Sequence, residues 1–338
     1  MRAAMMLCAL GLLTRIARGE NWNSLPVTPN PVEISPGVLM PRVNLGTCCG
    51  SDPSVDLPGW ISAGGRGIDT AWDYHDQPAI AAALANISVS RSDLFITTKI
   101  PGTNAICRNT SAANILGYIQ QDLAQLNTSY LDLVLLHHPC STEGANVEVW
   151  KAMELALHRN MTRSIGVSNF KRADLEALAS AHTTVKPSVN QCNMPPGKLL
   201  DPDGFDYCQQ HGITYESYNA IKGCQFSNPE LKQIGARHNV SVAQVCLRWV
   251  LQMGAVIAVG TGKNATTADA YAKQNLDLYG FNLTDSEMQT ISQVTPPNHI
   301  SPLNMDLLAA LFAVAVVVII VLVFVPCRRR QRSMYSRV

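Results

Sequence analysis

Seven short apolar runs of this 338-residue chain end on groups able to do chemistry: Gly46-Thr47, Asp69, Lys99, His137, Ser168-Asn169, Gln191 and Tyr218. Taken singly, each has a plainer reading. Asp69 before Thr70 could cap a helix, Lys99 could be a solvated strand end, and His137 could be a satisfied buried imidazole. As a set they carry more weight, because a parallel barrel gathers the carboxyl ends of its strands into one mouth, where catalytic groups sit.

The elements that must position them are legible as alternating runs. Strands are expected at Arg42–Gly46, Arg66–Thr70, Leu94–Lys99, Leu131–Leu136, Arg163–Ser168, Ser188–Gln191, Ile213–Tyr218 and Ala255–Val259. Helical patterns lie between most of them: Gln77–Leu84, Ala112–Gln125, Val147–His158, Arg172–Ala181, Pro202–Gln210 and Val242–Met253. An extra helix is expected over Asn228–His238 and a last one over Thr284–Val294. Eight strands alternating with helices predict a single-domain α/β fold, a closed (β/α)8 TIM barrel. Continuous apolar strands such as Leu131–Leu136 agree, since barrel strands are buried on both faces.

The two ends read differently from the middle. Met1-Arg2, an apolar run to Leu13 and Ala17-Arg18-Gly19 make a signal peptide over 1–19. Leu307–Val325 is an unbroken apolar run long enough to cross a bilayer, followed by Arg328, Arg329, Arg330 and Arg332. The expected organisation is a barrel over 20–300, a linker over 301–306, a transmembrane helix over 307–325 and a basic cytoplasmic tail over 326–338. That is a single-pass type I protein of the secretory pathway or plasma membrane, with the barrel lumenal or extracellular and the bilayer as a partner. Tyr335-Ser336-Arg337-Val338 has the form of a sorting signal.

The net charge of +1 averages over this division. The region between signal and tail holds 18 Lys and Arg against 25 Asp and Glu, which makes it acidic and a poor nucleic-acid binder. Glycosylation sequons begin at Asn86, Asn109, Asn127, Asn160, Asn239, Asn264 and Asn282, in keeping with a lumenal domain. Eight cysteines fall in that domain: Cys48, Cys49, Cys107, Cys140, Cys192, Cys208, Cys224 and Cys246. An oxidising compartment permits bridges among them, but several lie in apolar runs and buried free thiols are expected at least as much as bridges. No zinc spacing occurs, so no metal is expected.

Several of these runs together resemble the aldo-keto reductase family: GIDTAWDY at Gly67–Tyr74, FITTKI at Phe95–Ile100, LDLVLLHHP at Leu131–Pro139, SIGVSNF at Ser164–Phe170, VNQCN at Val189–Asn193 and SYN around Tyr218. The similarity extends from about Val32 to Val294. It implies reduction of aldehydes or ketones with an NADP (NADPH) cofactor, and a tetrad of Asp69, Tyr74, Lys99 and His137. In that scheme Tyr74 is the acid that protonates the forming alkoxide. A free phenol titrates near 10, and Lys99 beside it would lower that value. Asp69 would hold Lys99 charged, His137 would orient the carbonyl oxygen or share in proton transfer, and Trp72 and His138 would line the substrate pocket. Which of the two histidines faces inward follows strand alternation, and the resemblance implies His137.

The resemblance also implies a cofactor site. Ser168, Asn169 and Gln191 would hold the nicotinamide carboxamide and Tyr218 would stack on the ring. Gly46, Thr47, Asp69, Gly260, Thr261, Lys263, Gln274 and Asn275 complete the expected set, with phosphate on backbone amides near the last barrel helix. The loop after the last strand departs from the family, with Lys263 its one nearby cation before Lys273, so NAD is possible as well. Cys48 stands where the family often has Trp. Only nine residues separate Tyr218 from Asn228, and the usual C-terminal substrate loop is replaced by a segment leading to the apolar run. An open pocket and a monomeric barrel acting on a small carbonyl substrate are expected. The other reading is a noncatalytic cofactor-sensing or surface-interaction protein that kept the barrel.

Overall fold

The computed structural model describes residues 28–294 apart from 103, 182 and 263. The expected signal peptide, linker, apolar run and basic tail lie outside the described residues. Among the described residues no helix is long and apolar enough to cross a membrane.

The chain opens with an antiparallel hairpin of β1 (Val32–Ser35) and β2 (Val38–Met40). Eight parallel strands follow: β3 (Val43–Gly46), β4 (Gly67–Asp69), β5 (Phe95–Ile100), β6 (Leu133–Leu136), β7 (Ile165–Ser168), β8 (Val189–Asn193), β9 (Thr214–Tyr218) and β10 (Val256–Val259). They close in sequence order, with β10 paired to β3. All eight expected strands are present, with ends shifted by at most two residues at either side. The extra helix falls at Pro229–His238 and the last one at Asp285–Gln293.

Alternation along the strands builds two apolar clusters. Leu45, Ile68, Ile96, Val134 and Leu136 point outward and pack under the helices. Phe95, Leu133, Leu135, Val189 and Val256 point inward and meet Ile34, Val38 and Met40 of the hairpin. The hairpin therefore plugs the amino end of the barrel, where Ser35 bonds Ser164 at 2.8 Å and Ser164 bonds Ser188 at 2.7 Å. Above this apolar floor the same inward register carries Asp69, Thr97, Lys99, Gln191 and Glu216, all buried. The register that hides the floor thus delivers the polar groups to the opposite end.

The hairpin, the helix Pro53–Ser62 and the short helix Asn104–Arg108 were not expected from the sequence. Pro58 and Gly59 hide the apolar spacing of Pro53–Ser62, although Asp52 caps it by accepting from Ser54 N at 3.0 Å. Gly59 is required there: a Cβ would run into Asp269 of the helix Ala265–Leu276, which packs against it.

Candidate active site

A buried polar layer crosses the barrel mouth. Lys99 has no exposed surface, and its ammonium donates to Asp69 Oδ1 at 2.6 Å and to the Thr70 carbonyl at 2.9 Å. Gln191 donates through its amide nitrogen to Asp69 Oδ2 at 2.7 Å and to Glu216 Oε2 at 2.8 Å. Asn44 closes the layer by donating to Glu216 Oε1 at 3.1 Å. Burial is the largest single influence on Lys99 and works against its charge, but Asp69, Tyr74 and Glu216 together outweigh it and the pKa is raised. Burial, then repulsion from Asp69, pushes the Glu216 carboxyl upward. Glu216 was missed in the sequence. The available signal was a charged residue in an inward register position, opposite Gln191, inside a strand buried at its centre.

Tyr74 stands beside this layer at the end of a single 3₁₀ turn, Trp72–Tyr74, which His75 terminates at φ 57°. The Lys99 nitrogen lies 5.1 Å from its ring centroid. The expected lowering of the phenol pKa is not the net result. Burial dominates and raises it, while Lys99 pulls the other way, because the phenol loses more hydration than one ammonium restores.

His137 follows β6 on the inward face, its ring centroid 5.9 Å from that of Tyr74. Its Nδ1 lies 3.1 Å from Asp73 Oδ2. Burial, then Lys99 and His138, lowers its pKa to about 3, so the ring is neutral at physiological pH. His138 stacks on it, with centroids 4.7 Å apart. Asn169 fixes both: it donates to the His137 carbonyl at 3.0 Å and lies 3.1 Å from His138 Nδ1. Asn169 adopts φ 62°, a left-handed conformation that Asn tolerates better than most side chains. Gly102 lets the loop after β5 approach, since a Cβ there would collide with the His138 backbone.

Of the remaining expected residues, those at the strand ends lie around this centre. Tyr218 donates to Asn169 Oδ1 at 2.8 Å, and Ser168 donates to the Gln191 carbonyl at 2.8 Å. Thr47 binds the Asp69 carbonyl through its amide at 3.0 Å, beside Gly46 at the end of β3. Thr261 donates to Asp56 at 2.5 Å, and Asn275 donates to the Gly260 carbonyl at 3.2 Å. Gln274 lies on the same helix as Asn275, Ala265–Leu276, which Asn264 caps. Lys263 lies outside the described residues. Trp72 packs edge-on against Tyr118 at 5.0 Å and donates to Gln121 at 2.9 Å, which ties it to the helix Ala112–Gln125.

Three disulfides join Cys48 to Cys49, Cys107 to Cys140 and Cys224 to Cys246. Each has a partner in a loop that follows a barrel strand on the site's side. Cys140, three residues after His137, is tied to the helix Asn104–Arg108, and Cys224 lies in the short loop after Tyr218. Cys192 and Cys208 are free and buried. Among the described residues no group of three or more His, Cys, Asp or Glu is arranged to hold a metal ion.

The arrangement is a phenol beside a buried lysine–carboxylate pair and a neutral imidazole, with strand-end amides and hydroxyls around them. Comparison with known proteins agrees with it. A sequence model of the Aldo/keto reductase family matches residues 56–296. Glyoxal reductase of Bacillus subtilis is 32% identical over 275 residues, covering 80% of this chain and 95% of its own length. Morphine 6-dehydrogenase of Pseudomonas putida is 30% identical, covering 83% and 97%. The solved aldo/keto reductase of Brucella melitensis superposes with a TM-score of 0.70 at 28% identity, covering 79% of this chain and 99% of that one. The chain belongs to the aldo/keto reductase family.

Proposed function

We propose that this protein reduces small aldehydes or ketones to alcohols, with NADPH as the donor and NADH a possible substitute. The observation that carries the reading is the buried Lys99–Asp69 pair at 2.6 Å, set below the Tyr74 ring at the carboxyl ends of the strands. Tyr74 donates its phenolic proton to the substrate oxygen as negative charge develops there. Lys99 stabilises the phenolate that remains, and Asp69 keeps Lys99 protonated and aimed. A neutral His137 beside the Tyr74 ring would orient the carbonyl oxygen.

The residues present fit a nicotinamide dinucleotide. Asn193 ends β8 with a buried side-chain oxygen that lacks a partner, next to the half-buried ring of Tyr218 and the amides of Asn169 and Gln191. Such a set suits a planar ring bearing a carboxamide. The Gly260–Gly262 loop and the start of Ala265–Leu276 would receive phosphate through backbone amides. When bound, the cofactor supplies the hydride.

The full-length chain in detergent is expected to oxidise NADPH in the presence of a small aldehyde, and Tyr74→Phe to abolish this. Tight NADPH binding without turnover across a carbonyl panel would favour the noncatalytic sensor. That second reading draws on Asp56, whose buried carboxylate under the Gly260–Gly262 loop disfavours phosphate.

We further propose a type I topology with the barrel lumenal or extracellular. The apolar run Leu307–Val325, the arginines after it, seven sequons and three disulfides among the described residues support it.

A further inference from the structure

Two of the three disulfides are ordinary cross-links. Cys107–Cys140 and Cys224–Cys246 join cysteines 33 and 22 residues apart, each with a buried member. Cys48–Cys49 joins neighbours. It closes no loop of the unfolded chain, so it adds none of the stability that a cross-link draws from restricting that state. Cys49 is exposed and Cys48 half-buried, which opens this bond to a thiol in solution ahead of the other two. Cys49 also adopts φ 70°, a left-handed conformation uncommon for its kind of side chain, and Gly50 follows at φ 92°. Opening the small ring would remove the covalent restraint on that backbone.

From the ring a series of contacts leads to the loop expected to receive the cofactor's phosphates. Ser51 donates its amide to the Cys48 carbonyl at 3.5 Å and its hydroxyl to Asp56 Oδ2. Asp56 is buried in the helix Pro53–Ser62, and its other oxygen accepts from Thr261 at 2.5 Å. Thr261 is the middle residue of the Gly260–Gly262 loop. Among the described residues Ser51 and Thr261 are the side chains bonded to Asp56. Two hydroxyl dipoles therefore temper a buried carboxylate beneath a phosphate loop. Losing one directs more of that charge at a phosphate, which it repels.

We propose that Cys48–Cys49 is a redox-modification site that sets cofactor affinity: the disulfide keeps Ser51 on Asp56, and reduction releases it and weakens the hold on the dinucleotide. The inference rests on the cofactor site proposed above. The step is a thiol–disulfide exchange with a small thiol reductant such as reduced glutathione. Two thiols of the reductant give up two electrons and two protons. The bond between Cys48 and Cys49 breaks to leave two thiols, and the reductant departs as its own disulfide. The freed Ser51 hydroxyl turns to water, and the Asp56 carboxylate is left with Thr261.

The test uses the full-length chain in detergent, treated with glutathione until alkylation and mass spectrometry find Cys48 and Cys49 labelled and the other two disulfides intact. Calorimetry with NADP+ is expected to give a Kd about tenfold higher after reduction, reversed by reoxidation. Ser51→Ala removes the donor without touching the cysteines, so it should bind as the reduced protein does and ignore the reductant. Asp56→Asn removes the charge, and its Kd should differ by less than about twofold between the two states. Equal Kd values in reduced and oxidised wild type overturn the proposal. So does a change that persists in both variants, or a Cys48–Cys49 bond that outlasts the buried pairs. If neither NADP+ nor NAD+ binds in either state, the cofactor reading fails separately. Hydrogen exchange at the amides of residues 260–262 then decides the link between ring and loop. Faster exchange after reduction, absent in Ser51→Ala, sustains it, and unchanged exchange overturns it.

Discussion

Lys99 concentrates the energetics of the site in one residue. It is fully buried, and its stability rests on the Asp69 carboxylate at 2.6 Å. Breaking a buried pair by removing one partner leaves an uncompensated charge and costs about 3–5 kcal/mol. Lys99→Met is therefore expected to lose activity and to lower the unfolding free energy by an amount in that range, measured by urea denaturation. Adding Asp69→Asn should recover much of the stability and none of the activity, since the phenolate would still lack its cation. An equally unstable double variant would show that packing, not charge, sets the cost. At this scale the strand-end polar residues made the roster of the site readable. Glu216 and Asp73 were not, because nothing next to either one in the sequence marks it. Their importance comes from partners that are distant in sequence, Gln191 and His137.

Between elements, a second buried carboxyl ties the barrel to its helices. Asp122 of the helix Ala112–Gln125 accepts from Thr98 of β5 at 2.5 Å and from Gln77, at the start of Gln77–Ala85, at 3.1 Å. Burial raises its pKa to about 7, against the hydrogen bonds that favour its charge. The folded protein thus holds this proton more tightly than the unfolded chain. The contribution to stability is full below the unfolded pKa near 4 and is lost as pH rises through about 7. Asp122→Asn removes the charge but keeps an acceptor for Thr98. It should leave Tm at pH 4 nearly unchanged and raise it at pH 8 by about 2–4 °C, the equivalent of about 1 kcal/mol in a domain of this size. Equal shifts at both pH values would refute the titration argument. The strands were legible from their apolar runs, whereas Pro53–Ser62 was hidden by Pro58 and Gly59. The hairpin was missed because its two strands have only four and three residues, too few for a pattern.

For the whole molecule, the sequons give a test of topology. Asn86, Asn127 and Asn160 follow helices that lead back toward the amino ends of strands, away from the site. Asn127 and Asn160 sit at positive φ, in turns past the helix ends. Asn264 instead caps the helix that follows the Gly260–Gly262 loop, accepting from Thr266 N at 3.0 Å and Oγ1 at 2.7 Å. Glycopeptide mapping of the protein from a secretory-pathway host is expected to find glycans on the first three and none on Asn264. Full occupancy of Asn264 would undercut cofactor binding, and no glycan anywhere would remove the lumenal placement.

Local pattern was enough for the barrel, its strand order and the identity of the residues at its mouth. Apolar periodicity and strand ends are properties of neighbouring residues, so one sequence can display them. Three things needed the tertiary structure: the three cysteine pairings, the bond between Asp73 and His137, and the upward net shift of the Tyr74 phenol. Each depends on desolvation and charge summed over groups that only the closed barrel brings within a few ångströms. The residues able to do chemistry were therefore visible in the sequence, but the protonation states in which they meet a substrate were not.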